Sequence, residues 1–81
     1  MLKICLSGPL KVAAGGAASV SISAATIREL LRELVKQYPS MQSQLEDGIA
    51  VSVNGQIFRD SWSEEIPEGA EIFLLPRIQG G

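Results

Sequence analysis

The residues with the clearest chemical potential are the last two, Gly80 and Gly81, at the end of the segment "FLLPRIQGG". Because glycine lacks a Cβ, an extended Gly-Gly strip can pass through a channel that is too narrow for side chains. The same lack of side chains leaves the α-carboxylate of Gly81 open to another enzyme. A carboxylate is an inert acyl donor until it is activated, for example as an acyl-adenylate. We therefore expect the chemistry of this chain to occur at Gly81, with an external enzyme as the activator.

The side chains offer little chemistry of their own. The 81 residues include no histidine and one cysteine, Cys5, which lies in an alternating apolar segment. A single cysteine supports neither a disulfide framework nor a zinc site, and as a nucleophile it would need an activating base such as histidine. Cys5 is therefore expected to be a small hydrophobic residue of a strand. We expect no metal, no cofactor and no catalytic side chain in this chain.

The composition is typical of a small globular domain. Hydrophobic residues make up 46% of the chain, and 7 basic and 9 acidic residues give a net charge of −2. The basic residues form no stripe, and no apolar run approaches the ~20 residues of a membrane span. The N-terminus has no signal-peptide pattern. We therefore expect a single domain over residues 1–81, in the cytoplasm, without nucleic-acid or membrane partners.

The elements that must position the tail are predicted by hydrophobic periodicity. Alternation predicts two strands at "LKICLS" and "ASVSIS", and Pro9 suits the start of a short helical turn between them. Two further strands flank Asn54-Gly55, a pair that suits a type I′ turn. "SMQSQLEDG" predicts a helical turn before this hairpin, and Trp62 is expected to cover one end of the core.

The clearest helix begins at Thr26, which has Glu29 three residues later in the spacing of a capping box. The apolar residues that follow recur at intervals of three and four and form one stripe: Ile27, Leu30, Leu31, Leu34, Val35 and Tyr38. Pro39 predicts the end of this helix, because a residue before proline avoids helical geometry. The stripe is interpreted as core.

The last strand is predicted from Glu71 to Leu75. Its apolar run "IFLL" is typical of a strand that is buried on both faces, or of one whose outer face meets a partner. Pro76 lacks an amide hydrogen and is expected to stop the strand, so that residues 76–81 form a flexible tail. The element order predicts an α+β fold with a mixed sheet packed on one main helix. If the last strand is central and parallel to the first, the fold is a β-grasp.

The whole chain resembles the β-grasp sulfur-carrier family related to ubiquitin (the MoaD/ThiS family), and most of all the small subunit of molybdopterin synthase. The resemblance rests on the chain length, on the helix that begins at Thr26, on Gly80-Gly81 and on the segments "LKICLS", "PLKVAAGGAASVSIS", "VSVNG" and "IPEGAEIFLLP". It implies a ubiquitin-like fold for the entire chain.

The resemblance also implies a function. Gly81 would be adenylated by a ubiquitin-activating-type enzyme, which uses the ATP, and a sulfur-donor protein would supply the sulfur of a C-terminal thiocarboxylate. Gly80 would be the second glycine of the threading strip. In molybdenum cofactor biosynthesis the tail would enter the large subunit of molybdopterin synthase and donate its sulfur there. The chain would then be a non-catalytic, sulfur-donating subunit of that synthase.

Four residues near the tail are candidates for the partner surface: Phe58, Phe73, Leu75 and Arg77. Arg77 is similar to the basic residues that steer the tails of ubiquitin-like modifiers into their activating enzymes. The synthase subunit usually has a second proline and small residues where this chain has Arg77, Ile78 and Gln79.

Three alternatives stay open at the level of the sequence. Carriers for thiamine, cysteine or another sulfur-containing metabolite share this tail, although the thiamine carrier typically lacks an insertion of the "GPLKVAAGG" type. A ubiquitin-like protein modifier would form an isopeptide bond between Gly81 and a target lysine. In a plain interaction domain the tail would be inert.

Overall fold

The structure is a computed structural model that describes residues 1–59 and 61–76 of the chain. The described residues form five strands and three helices. In chain order these elements are β1 (Leu2–Cys5), α1 (Pro9–Ala13), β2 (Ser19–Ile22), α2 (Ile27–Gln37), α3 (Met41–Asp47), β3 (Ile49–Val53), β4 (Gln56–Phe58) and β5 (Glu71–Pro76).

All five strands belong to one mixed sheet, in the order β2-β1-β5-β3-β4. The first hairpin, β1–β2, and the second, β3–β4, are antiparallel. Between them β5 lies parallel to β1 and antiparallel to β3. The last strand is thus central and parallel to the first, and the predicted β-grasp fold is confirmed.

The central strand β5 is one residue longer than the sequence predicts, because Pro76 still lies opposite Ile49 of β3. On the other side of β5, the pairing with β1 has already ended at the Cys5–Phe73 position. A proline is tolerated where a ladder continues on one side only, because it has no amide hydrogen to leave unpaired on the other.

The N-terminus of α2 is closed by hydrogen bonds of two kinds. The amide of Glu29 donates to Thr26 Oγ1 at 3.2 Å, as the capping-box pattern predicts, while Glu29 Oε1 accepts from the amide of Ala25, one residue before the cap, at 3.0 Å. The next free amides find carbonyls on the loop after β4: Ile27 donates to Glu64 at 3.1 Å and Arg28 donates to Trp62 at 2.8 Å. The start of α2 is therefore tied to that loop as well as to its own cap.

The core lies between the sheet and the helices. The α2 stripe contributes Ile27, Leu30 and Leu34, each fully buried, while Val35 and Tyr38 are half-buried at its margin. The inward residues of the sheet include Ile4, Ile22, Val51, Ile72 and Leu74. Trp62 is half-buried and packs against this cluster, as the sequence predicts.

The turn at Asn54-Gly55 joins the second hairpin to the central strand. Both residues have positive φ, 50° at Asn54 and 90° at Gly55, as a type I′ turn requires. The amide of Asn54 donates to the carbonyl of Glu71 at 2.9 Å, and Asn54 Oδ1 accepts from the amide of Glu71, also at 2.9 Å. The Asn54 side chain thus extends the β3–β5 pairing and fixes the beginning of β5.

Leu34→Ala tests the assignment of the α2 stripe to the core. Because Leu34 is fully buried, we expect the free energy of unfolding to fall by about 2–5 kcal/mol. Denaturant titration followed by circular dichroism measures this loss. Val12→Ala is the matched control, since Val12 is 76% exposed and truncation of such a residue changes stability by roughly 0.5 kcal/mol or less. Similar losses in the two variants would refute the core assignment.

Two substitutions of Asn54 separate its side-chain hydrogen bond from its backbone geometry. Asn54→Gly keeps the positive φ but removes the acceptor for the Glu71 amide, so we expect a loss of about 0.5–1.5 kcal/mol. Asn54→Ala removes the same acceptor but keeps a Cβ at positive φ, so we expect it to be about 1–2 kcal/mol less stable than Asn54→Gly. Unfolding free energies that failed to rank wild type, Gly and Ala in this order would contradict the proposed role.

Candidate partner-binding face at the root of the tail

The sheet has an inner face against the helices and an outer face that carries exposed apolar residues. On β5 the side chains alternate, so that Ile72 and Leu74 are buried while Phe73 points outward. The strand register places three further residues in the same outward row as Phe73. Cys5 lies opposite Phe73 on β1, Ser52 lies opposite it on β3, and Ile57 lies opposite Ser52 on β4. One step closer to the tail, Leu75 lies opposite Ala50.

We call these outward residues the outer patch: Cys5, Ala50, Ser52, Ile57, Phe73 and Leu75. Its large members are open to solvent, with Phe73 39% and Ile57 51% exposed. The small residues Ala50 and Ser52 are each only 8% exposed, because bulkier neighbours flank them. A contiguous apolar surface of this kind marks an interaction site more often than a chance exposure.

The outer patch continues into an open cavity of ≈ 580 Å³ at the end of β5. Its lining residues are Gly48, Ile49, Ala50, Ile57, Arg59, Leu75 and Pro76, and we call it the tail-root notch. Most of the lining is apolar or backbone, while Arg59 places a positive charge at the margin. Among the described residues, the notch therefore combines apolar side chains with one cation, Arg59, at the end of β5.

The root of the tail is held on both sides. Pro76 pairs with Ile49 of β3 on one side. On the other side, a Cβ at Gly8 would lie 4.0 Å from Pro76 Cγ, so the turn before α1 passes close to the proline. Gly8 has a φ of 59°, a conformation that favours glycine. Pro76 therefore lies between β3 and the turn before α1.

The sequence-predicted site residues fall into three groups. Phe73 and Leu75 lie in the outer patch, as a partner surface requires. Phe58 lies opposite Val51 and packs, half-buried, against the core, so it is not part of the outer patch. Arg77, Gly80 and Gly81 lie outside the described residues.

Three residues of this face, Ile57, Ser52 and Arg59, are not among the site residues predicted from the sequence, although the hairpin signal indicates the positions of Ile57 and Ser52. A two-residue turn at Asn54-Gly55 pairs Val53 with Gln56 and Ser52 with Ile57. Reading the register outward from that turn places Ile57 on the face opposite to Phe58.

The described residues offer no metal site, since no three His, Cys, Asp or Glu side chains among them come together as potential ligands. Cys5 is a free, half-buried cysteine next to Phe73. Within residues 1–59 and 61–76, no helix is long and apolar enough to cross a membrane.

A mixed sheet in the order β2-β1-β5-β3-β4, crossed by α2 and ending at an apolar outer face, defines a ubiquitin-like β-grasp protein. The ThiS family model matches residues 5–81, and the chain belongs to this family of ubiquitin-like sulfur carriers. A search of curated protein sequences gave no match.

Solved structures agree with the family. SAMP1 from Haloferax volcanii is 27% identical over 99% of this chain and 98% of that one, with a TM-score of 0.82. A chain of the BexX/CysO complex from Amycolatopsis orientalis is 22% identical over 100% of both chains, with a TM-score of 0.82. A chain from the complex of subunits 1 and 2 of the molybdopterin-converting factor of Helicobacter pylori is 24% identical over 99% and 97%, with a TM-score of 0.70. Two of these three chains were thus solved together with a partner protein.

Proposed function

We propose that this chain carries sulfur on Gly81. The α-carboxylate of Gly81 attacks the α-phosphate of ATP in a ubiquitin-activating-type enzyme, which releases pyrophosphate and leaves an acyl-adenylate. Hydrosulfide, delivered by a sulfur-donor protein, then attacks the acyl carbon, displaces AMP and loses its proton, which leaves a thiocarboxylate. The observation that carries this proposal is the match to the ThiS family, which extends through Gly80 and Gly81. An ATP-dependent activating enzyme also suits a cytoplasmic location.

The finer proposal is that the chain is the small subunit of molybdopterin synthase and that its thiocarboxylate donates sulfur inside the large subunit. It is supported by the likeness to a chain of the two-subunit molybdopterin-converting factor. The absence of histidine from the sequence agrees with a division of labour in which the large subunit supplies the catalytic side chains.

The position of Pro76 supports a role for the outer patch in this reaction. Five residues follow Pro76, and five extended residues span at most about 17 Å. An enzyme that acts on Gly81 must therefore bring its reactive centre within this distance of Pro76. Its surface then necessarily approaches the outer patch and the tail-root notch. Burial of Phe73 and Ile57 against the enzyme supplies binding free energy at a site that does no chemistry.

Charged residues near the tail help to orient the chain when it meets the activating enzyme. Arg59 lines the notch, and Arg77 follows Pro76 in the sequence. We propose that both steer the tail towards an acidic entrance on the activating enzyme, with an effect mainly on the association rate. Leu75 and Phe73 then provide the apolar contact.

A second candidate function is protein modification. It is favoured by the 27% identity to SAMP1 over almost the whole of both chains, since a SAMP1 is also described as a small archaeal modifier protein. In this case the activated Gly81 carbonyl is attacked by a lysine amine of a target protein, and an isopeptide bond replaces the thiocarboxylate.

Reconstitution tests the chemistry at Gly81. We expect the chain, incubated with ATP, a sulfide source and the ubiquitin-activating-type enzyme of its own genome, to gain the mass of one oxygen replaced by sulfur on the C-terminal fragment. A chain with Gly81→Val keeps its fold but stays unmodified, because a Cβ obstructs the threading strip. Mass spectrometry of the intact chains measures both results. An unmodified wild-type chain beside an enzyme that activates its other substrates would contradict the proposal.

The chain modified in this reaction also distinguishes the possible acceptors of its sulfur or of its Gly81 carbonyl. Loss of the thiocarboxylate on addition of the large synthase subunit and a pterin precursor supports molybdopterin synthase. A thiocarboxylate that persists in this mixture points to another sulfur acceptor. Branched lysine peptides that carry Gly81 support the modifier.

Ile57→Asp tests the outer patch. Because the new carboxylate must lose its water when the enzyme covers the patch, we expect the KM of the chain in ATP–pyrophosphate exchange to rise by about tenfold or more, with little change in kcat. Ser21→Asp is the matched control, since Ser21 is exposed on β2 and outside the patch. Both variants are checked by thermal unfolding. Equal KM values in the two variants would exclude the outer patch from the enzyme interface.

A further inference from the structure

A second apolar depression lies in the helical layer, between α2 and α3. It is an open cavity of ≈ 400 Å³. Leu31 and Val35 of α2 and Leu45 of α3 supply its apolar lining, and the polar lining residues are Arg32, Lys36 and Gln42. Val35 and Leu45 are only partly buried, so the core does not use these side chains completely.

The lining side chains of α2 form two parallel rows. Leu31 and Val35 are four residues apart, and so are Arg32 and Lys36, which places each pair on one line along the helix. Among the described residues the lining contains these two cations and no carboxylate, although the chain as a whole has a net charge of −2. The groove is thus an apolar row beside a basic row.

Lys36 already has one neighbour of opposite charge, since its Nζ lies 3.3 Å from Glu33 Oε2. The Lys36 side chain is 78% exposed in this pair. An ion pair so open to solvent contributes little. The free-energy cost of breaking this ion pair is therefore small, and Lys36 can bind a carboxylate of the partner instead.

We propose that the groove between α2 and α3 is a second docking site, which binds an acidic amphipathic helix of a partner protein. The occupant is defined by the two rows. It needs an apolar row that enters between Leu31, Val35 and Leu45, and a neighbouring acidic row, also with a spacing of four residues, that meets Arg32 and Lys36. This is the helix-in-groove mode of recognition with charge complementarity added.

The position of the groove determines whether a partner bound there and a partner on the outer patch can be bound at the same time. It belongs to the helical layer, whereas the outer patch lies on the opposite face of the sheet. A protein bound to the groove consequently leaves Phe73 and Ile57 of the outer patch uncovered. One partner can hold the chain while another acts at its C-terminus, and this inference does not depend on which reaction takes place at Gly81.

Amide chemical shifts of the full-length, ¹⁵N-labelled chain test the proposal. The probe is an acetylated and amidated model helix with a leucine row beside a glutamate row, and a second peptide has lysine in place of glutamate. We expect the glutamate peptide to shift the amides of Leu31, Val35 and Leu45, and Arg32→Glu to weaken its binding about fivefold or more. Binding to a chain that lacks Gly80 and Gly81 is expected to be unchanged.

The matched control is Lys3→Glu, which makes the same change of charge on β1, outside the groove. It is expected to bind the glutamate peptide as the unmodified chain does. Three results would overturn the proposal. They are shifts confined to the outer patch, equal binding of the lysine peptide, or no shift in the groove at the highest concentration at which the glutamate peptide does not self-associate.

Discussion

The structure depends on the pairing of β5 with β1 and β3 in the middle of the sheet. β5 must place Ile72 and Leu74 in the core and at the same time connect two hairpins that do not touch each other. This central position also fixes Pro76, the last described residue of the chain, opposite Ile49 of β3. A strand at the edge of the sheet could carry a tail too, but it could not place an apolar outer face on both sides of the exit point.

The outer patch follows from the same constraint. A parallel pair is normally covered on both faces, and here the helices cover only one. Phe73 and Ile57 on the other face keep large side chains in contact with solvent, which costs solvation free energy in the isolated chain and is recovered when a partner covers them. The exposed face therefore follows from the sheet's architecture, and it is the face that we propose for partner binding.

Much of the fold could be predicted from the sequence, because the strong local signals agree with the tertiary structure. The α2 stripe, the helix cap at Thr26, the short helix at Pro9 and the turn at Asn54-Gly55 all form where periodicity and turn chemistry place them. The end of β5 could not be predicted, because whether Pro76 breaks a strand depends on which neighbours still pair with it. The composition of the site was predicted only in part. Phe58 and Ile57 are adjacent and both apolar, and only the register with β3 tells which of them faces the core.

The central place of β5 also bears on the way the domain is made. On a ribosome the two hairpins and α2 emerge before β5 does, yet each hairpin alone leaves most of its inner face uncovered, and two-stranded ribbons are marginal in water. The pairs Ile4–Ile72 and Val51–Leu74 join residues that are far apart in sequence, so the sheet closes only after β5 has been synthesised. A nascent chain that is interrupted anywhere before β5 consequently has neither a closed core nor the docking face that the strand creates. Completion of the sheet and formation of the outer patch become a single event, so that an enzyme binding this patch, as we propose, would meet only chains with a completed sheet.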